Sequence, residues 1–359
     1  MINVTKTYLP NREKYQKYID RIFQSGWLTN NGELVQELEK RIAEFCGVPH
    51  IVLTCNGTVA LQVAYRLLGL QGEVVTTPFT FVATTSSLIW EGLKPIFADI
   101  DPATFNIDPA KVIKKVTART SAIVGVHVYG NVCEVEALAK IASQNKLKVI
   151  YDAAHAFGVN YRGKNIANYG DIVVFSFHAT KIFHTIEGGA LAIRDANLAQ
   201  AARLMINFGI PGPDQIATLG INCKMNEFQA AMGLCVLDDF PEMIRQRRIV
   251  HERYLSTLAG HPRLGFQQCS SYVQNNFSYF PLLFDSEKTL LEVRERLNAH
   301  QIFPRRYFYP SLDTLAFLKT KQKATVSRDI ATRILCLPVF ESLSEKDQEN
   351  IIKIVLKYS

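Results

Sequence analysis

Between about Asn30 and Arg194 the chain alternates helical and strand-like hydrophobic periods, which predicts helices layered on a sheet. Leu34, Leu38, Ile42 and Phe45 recur at helical spacing behind Asn30 and Glu33, a pair placed to cap the start of that helix. Residues 51–54 (Ile-Val-Leu-Thr) read as a buried strand, and Asn56-Gly57-Thr58 turns it into a helix from Val59 onward. Further strands are predicted over residues 73–77, 94–98, 122–128, 148–152, 172–177 and 190–193. Most of these are apolar throughout, as expected for parallel strands covered on both faces. From roughly Arg245 the pattern changes to a long charged amphipathic helix, followed by a strand over 277–284, a helix near 290–300 and a short apolar run at Leu335-Cys336-Leu337. The expectation is a large α/β domain over residues 1–244 and a smaller C-terminal α/β domain over 245–359.

Composition agrees with that division, because 359 residues at 48% hydrophobic content can build a large core. There is no internal repeat and no low-complexity tract. The formal net charge of +7 would suit a polyanion, yet the cations are scattered, with only short clusters at Arg245, Arg247, Arg248 and at Arg305, Arg306. A phosphate or nucleotide ligand fits that pattern better than a nucleic-acid groove. The first residues lack the apolar core of a secretory signal and no run approaches ~18 apolar residues, so a cytoplasmic protein with no membrane span is expected. Seven cysteines without a C-x-x-C pair are expected to be reduced and mostly buried, with no metal site.

The candidate chemistry lies at two strand ends. Lys181 closes Ser176-Phe177-His178-Ala179-Thr180-Lys181 and is followed by Glu187-Gly188-Gly189, while the apolar run before Asp152 leads into Asp152-Ala153-Ala154-His155. Successive strand ends face one crevice, so the amine and the carboxylate are expected to meet. Pyridoxal phosphate needs that pair, a lysine to hold its aldehyde and an acid to keep its pyridine nitrogen protonated. Taken singly, a lysine is most often a solvated cation and a strand-end aspartate a cap. The amides at the start of the helix after Asn56 are placed to bind a phosphate.

Seven blocks occur in order: Gly26-Trp27-Leu28-Thr29, Asn56-Gly57-Thr58, Pro78-Phe79-Thr80-Phe81, Val126 through Gly130, Asp152 through His155, Ser176 through Lys181 with Glu187-Gly188-Gly189, and Gly220-Ile221-Asn222 leading to Gln229-Ala230-Ala231. With them the chain resembles the nucleotide-sugar aminotransferases of the DegT/DnrJ/EryC1/StrS family over nearly its whole length. The resemblance implies the type I pyridoxal-phosphate aminotransferase fold, with a mostly parallel sheet of the seven-stranded type. It implies that Lys181 holds pyridoxal 5′-phosphate and acts as general base, that Asp152 pairs with the pyridine nitrogen, and that His155 lies near the phenolic oxygen. Phe81 is expected to stack on the ring, and Gly57, Thr58 and Ser176 to hold the phosphate. Asn222 is expected to reach the phosphate of a partner subunit, which implies a homodimer with composite sites. His178, His184 and the stretch Arg306-Tyr307-Phe308-Tyr309-Pro310 resemble positions near the sugar nucleotide, and L-glutamate is the implied donor. The form Ser-Phe-His-Ala-Thr-Lys is similar to members that aminate C4 of dTDP-4-dehydro-6-deoxyglucose, including those of O-antigen and capsule pathways.

Some positions depart from the pattern: Tyr151 stands where Glu is frequent, an Asp is missing between Gly72 and Glu73, and Lys224 replaces an Arg. A lysine cannot make the bidentate fork of a guanidinium, which puts an anion contact at Lys224 in doubt. From the residues alone, His155 reads equally as a core histidine and Asn222 as a turn former. Amination at C3 of a 3-keto isomer and a non-catalytic regulator of the same fold are the competing readings. A nicotinamide oxidoreductase lacks its Gly-x-Gly-x-x-Gly, and a metal hydrolase lacks ligand-spaced histidines.

Overall fold

The apolar runs assemble into one seven-stranded sheet in a computed structural model that describes residues 1–318 and 322–359. In spatial order the strands are His50–Thr54, Gly189–Ile193, Ile172–Ser176, Lys148–Asp152, Thr120–Val126, Glu73–Thr76 and Lys94–Phe97. Gly189–Ile193 is antiparallel to both its neighbours, and every other adjacent pair is parallel. Helices cover both faces, so neighbouring residues of a strand enter different cores. Val173 and Phe175 pack into one cluster, Ile172 and Val174 into another. This two-sided burial is why the strands read as unbroken apolar runs.

Three local expectations differ from what forms. The helix expected behind Asn30 is Glu33–Cys46, capped by Gly32, and no side chain of its own segment bonds its first turn. Instead the buried carboxylate of Glu227 accepts from the amides of Leu34 (2.8 Å) and Val35 (3.0 Å), so the cap comes from 193 residues away. The charged helix expected from about Arg245 is a 32-residue helix, Glu227–Leu258, which opens with a capping box between Asn226 and Gln229 and passes through Pro241. The expected division at residues 244 and 245 therefore falls inside an unbroken helix. The pattern changes there because the helix changes neighbours: Leu234, Leu237 and Phe240 pack into the core of the large sheet, Val250, Tyr254 and Leu258 into a C-terminal core.

That C-terminal core covers an antiparallel three-stranded sheet, Leu264–Phe266, Phe280–Phe284 and Ile334–Leu337, with helices Glu287–Ala299 and Glu345–Tyr358 against it. The strand expected from Phe277 starts at Phe280, because Phe277 itself has a positive φ of 56°. The N-terminal pair Ile2–Asn3 adds in parallel to Ile302–Phe303, so the start of the chain is tied to its C-terminal part. Arg247, 2% exposed, ion-pairs with Glu341 at 2.5 Å and ties the long helix to the C-terminal segment. Among the described residues all seven cysteines are free, Cys269 alone being exposed. No group of side chains there could hold a metal ion, and no helix is long and apolar enough to cross a membrane.

Candidate active site

Asp152 and Ser176 end two adjacent parallel strands, and the chain beyond Ser176 turns back through Lys181 before re-entering the sheet at Gly189. Strand ends of this kind open on a shared crevice. Here it is a cavity of about 240 Å³ whose lining includes Asp152, Lys181, His155, Gly57, Thr58, Phe81, Ser176, His178, Glu187, Arg305 and Tyr307.

Asp152 is 6% exposed, and its two oxygens are satisfied separately. Oδ2 accepts from the Thr84 hydroxyl at 2.7 Å and Oδ1 from the Ala154 amide at 3.1 Å. Thr84 is itself bonded to Thr80 at 2.8 Å, which sets the direction of its proton. Burial raises the Asp152 pKa, against the Thr84 bond, the Ala154 amide and the charge of Lys181. The Lys181 amine is pushed down to about 8, with burial as the main cause, the Asp152 charge working against it and the Arg305 guanidinium with it. A poised amine faces a carboxylate held by directed donors, which is what attachment of an aldehyde on a protonated heterocycle requires.

The rest of the lining fits a flat anionic ring. Helix Gly57–Leu67 starts at the cavity, where the Asn56 side chain caps the Val59 amide at 2.9 Å. The amides of Gly57 and Thr58 have no acceptor among the described residues. A Cβ on residue 57 would stand 2.9 Å from the Ser176 Cβ, so glycine keeps this approach open. Phe81, 45% exposed, offers a free aromatic face. His155 is buried with its Nδ1 unpartnered and its ring parallel to Phe308 at 5.5 Å and 8°. Burial first, then the charges of Lys181 and Arg305, holds His155 well below its ordinary pKa, so it is neutral. An orphan imidazole nitrogen of this kind is available to a polar substituent of a bound ring.

Of the substrate-side residues, His178 and Tyr307 line the cavity. His178 Nε2 is 3.5 Å from Glu187 Oε1, and its Nδ1 is 2.8 Å from the Thr180 hydroxyl. His184 does not line the cavity, which corrects the expectation for that residue. It is 1% exposed, with Nε2 2.7 Å from the Tyr8 carbonyl, because Ile182 and Phe183 turn this stretch into the core. Tyr309 is 48% exposed, stacked against the Arg306 guanidinium at 3.5 Å, and lies outside the lining. Arg306 points the other way, to Glu287 and the Thr332 carbonyl. Asn222 is exposed and accepts from Lys224 at 2.8 Å, also outside the lining. Phe308, within the stretch expected near the sugar nucleotide, lines the cavity, whereas Thr84 and Arg305 were not expected at the site. Arg305 had a signal, the Arg305-Arg306 pair, but nothing local says which of two adjacent arginines faces the cavity.

The model of the DegT/DnrJ/EryC1/StrS aminotransferase family matches residues 10–356. A dTDP-4-amino-4,6-dideoxy-D-glucose transaminase of Shigella dysenteriae is 42% identical over 99% of this chain and 98% of its own length. One of the same description from Escherichia coli is 38% identical, again over 99% of this chain and 98% of its own. A solved structure described as DesI in the presence of its TDP-sugar product superposes with a TM-score of 0.94 at 38% identity, over 99% of this chain and 92% of that one.

Proposed function

The chain belongs to the DegT/DnrJ/EryC1/StrS aminotransferase family, and on that premise we propose that it moves an amino group from L-glutamate to C4 of dTDP-4-dehydro-6-deoxy-D-glucose, giving dTDP-4-amino-4,6-dideoxy-D-glucose. The observation that carries the reading is the single cavity shared by Lys181, Asp152 and the open helix start at Gly57 and Thr58. Pyridoxal phosphate is the cofactor of this reading; when bound it supplies the aldehyde that carries the amine and a ring that takes up electrons. Lys181 holds it covalently and, once displaced by the donor, moves the proton at the donor Cα. Asp152 keeps the pyridine nitrogen protonated, fixed for that task by Thr84 and Ala154. Gly57, Thr58 and Ser176 hold the phosphate, Phe81 covers one face of the ring, and His155 presents its free nitrogen to the phenolic oxygen. His178 and Tyr307 orient the sugar nucleotide.

The proposal includes a homodimer in which Asn222 serves the phosphate of the neighbouring subunit. In support, Asn222 lies outside its own cavity in a segment that exposes Phe208 (48%), Ile216 (80%), Leu219 (69%) and Ile221 (44%), an apolar surface suited to a second copy. Division into domains at residues 244 and 245, with the long helix as the shared spine, belongs to the same proposal. So do a cytoplasmic location and a part in O-antigen or related polysaccharide assembly.

The test is to add L-glutamate to the pyridoxal-phosphate-loaded protein, then a panel of 3-keto and 4-keto dTDP-sugars. The visible absorption should bleach with glutamate and return with the 4-keto sugar, and NMR of the product should find nitrogen on C4. Nitrogen on C3 would move the reading to the 3-keto isomer, and an unchanged spectrum would make the protein a binder.

A further inference from the structure

Among the described residues Arg305 is the one cation lining the cavity, besides Lys181, and the proposed chemistry leaves it without a task. Its guanidinium lies 4.4 Å from the centroid of the buried Tyr307 ring. Among the described residues it makes no hydrogen bond and no ion pair, although its neighbour Arg306 makes both. The carboxylates of the lining are already engaged, Asp152 by Thr84 and Ala154, and Glu187 by His178. A guanidinium held over an aromatic ring has lost part of its rotamer freedom, so it meets a planar anion at a reduced ordering cost.

We propose that Arg305 is the anchor for the α-carboxylate of the amino donor, gripped by the guanidinium fork while Tyr307 fixes its plane. This rests on the transaminase reading and adds to it the residue that recognises an α-amino acid. Position argues for this carboxylate over the other anions of the reaction. Arg305 lines the same cavity as Lys181 and His155, so its guanidinium shares the chamber of the reacting nitrogen. An α-carboxylate is one carbon from the amine that is transferred, whereas the diphosphate of the sugar nucleotide is attached across the sugar ring from C4. The cofactor phosphate already has the open amides of Gly57 and Thr58. A fork-to-carboxylate contact is also the geometry in which arginine outperforms lysine.

The experiment uses cofactor-loaded wild type, Arg305→Met and Arg305→Lys. In single-turnover bleaching with L-glutamate, Arg305→Met should raise the half-saturating concentration about 10- to 100-fold, the range for loss of a charged hydrogen-bonded partner. Arg305→Lys should recover part of it. The half-saturating sugar nucleotide in the return step, and the affinity for pyridoxal phosphate, should change by less than about twofold. Calorimetric binding of glutarate, a dicarboxylate that cannot react, should weaken in Arg305→Met by a similar factor. An unchanged glutamate requirement, or a loss confined to the sugar nucleotide or the cofactor, overturns the assignment. If wild type binds glutarate but glutamate leaves its spectrum unchanged, the transaminase reading fails, and Arg305→Met still decides whether Arg305 is a carboxylate anchor.

Discussion

Replacing Thr84 with valine removes one hydroxyl from beneath Asp152 while keeping the volume and the branched Cβ of a residue that is 0% exposed. Thr80 bonds to Thr84 and Thr84 to Asp152, so Thr84 spends its proton on the carboxylate. A hydrogen bond to a charged group contributes roughly 1.5–3 kcal/mol. At about 1.4 kcal/mol per pKa unit, its loss should raise the Asp152 pKa by about one to two units above its already raised value. The charged carboxylate is the form that pairs with a protonated pyridine, so binding weakens as pH falls through that pKa. The assay is spectrophotometric titration of cofactor-free protein with pyridoxal phosphate from about pH 5 to 9, where the ionisations of the free protein govern the profile. Thr84→Val should move the acid limb upward by those one to two units, and Thr84→Ser should leave it in place. Thr80 is left without its partner, which costs about 1–2 kcal/mol of stability but does not change with pH in this range. An acid limb that stays put in a folded Thr84→Val protein would refute the claim that this hydroxyl sets the charge of Asp152.

Because the Lys181 amine is held down to about 8 and only its neutral form attacks an aldehyde, the rate of pyridoxal phosphate attachment should rise with pH and level off above about 8, as stopped-flow absorbance would record. Gly57→Ala places a methyl group 2.9 Å from the Ser176 Cβ, and the shift it forces, about 1–3 kcal/mol, should weaken cofactor binding by about 5- to 150-fold in the same titration. Glu227→Ala strands two buried amides of helix Glu33–Cys46, so hydrogen exchange at Leu34 and Val35 should accelerate about a hundredfold, equivalent to roughly 3 kcal/mol; unchanged protection would mean that the helix start finds another acceptor.

The α/β class and the seven central strands were legible in the chain because a strand covered on both faces must be apolar at every position, a local property that needs no partner to be read. Lys181 and Asp152 were legible for a related reason: Asp152 closes one such strand and Lys181 follows five residues after the end of another, and strand ends open on one crevice whatever the order of the strands. The order itself, with Gly189–Ile193 running antiparallel between two parallel neighbours, was not written locally. Nor was the cap of helix Glu33–Cys46, expected from Asn30 and supplied by Glu227, since the two meet only after the long helix has docked. The burial of His184, the outward turn of Arg306 and the inward turn of Arg305 belong to the same class. Periodicity along the chain records whether a residue is buried by its own element. Which side chain faces a cavity built from segments more than a hundred residues apart is decided by packing between them, and that information exists only once the segments are assembled.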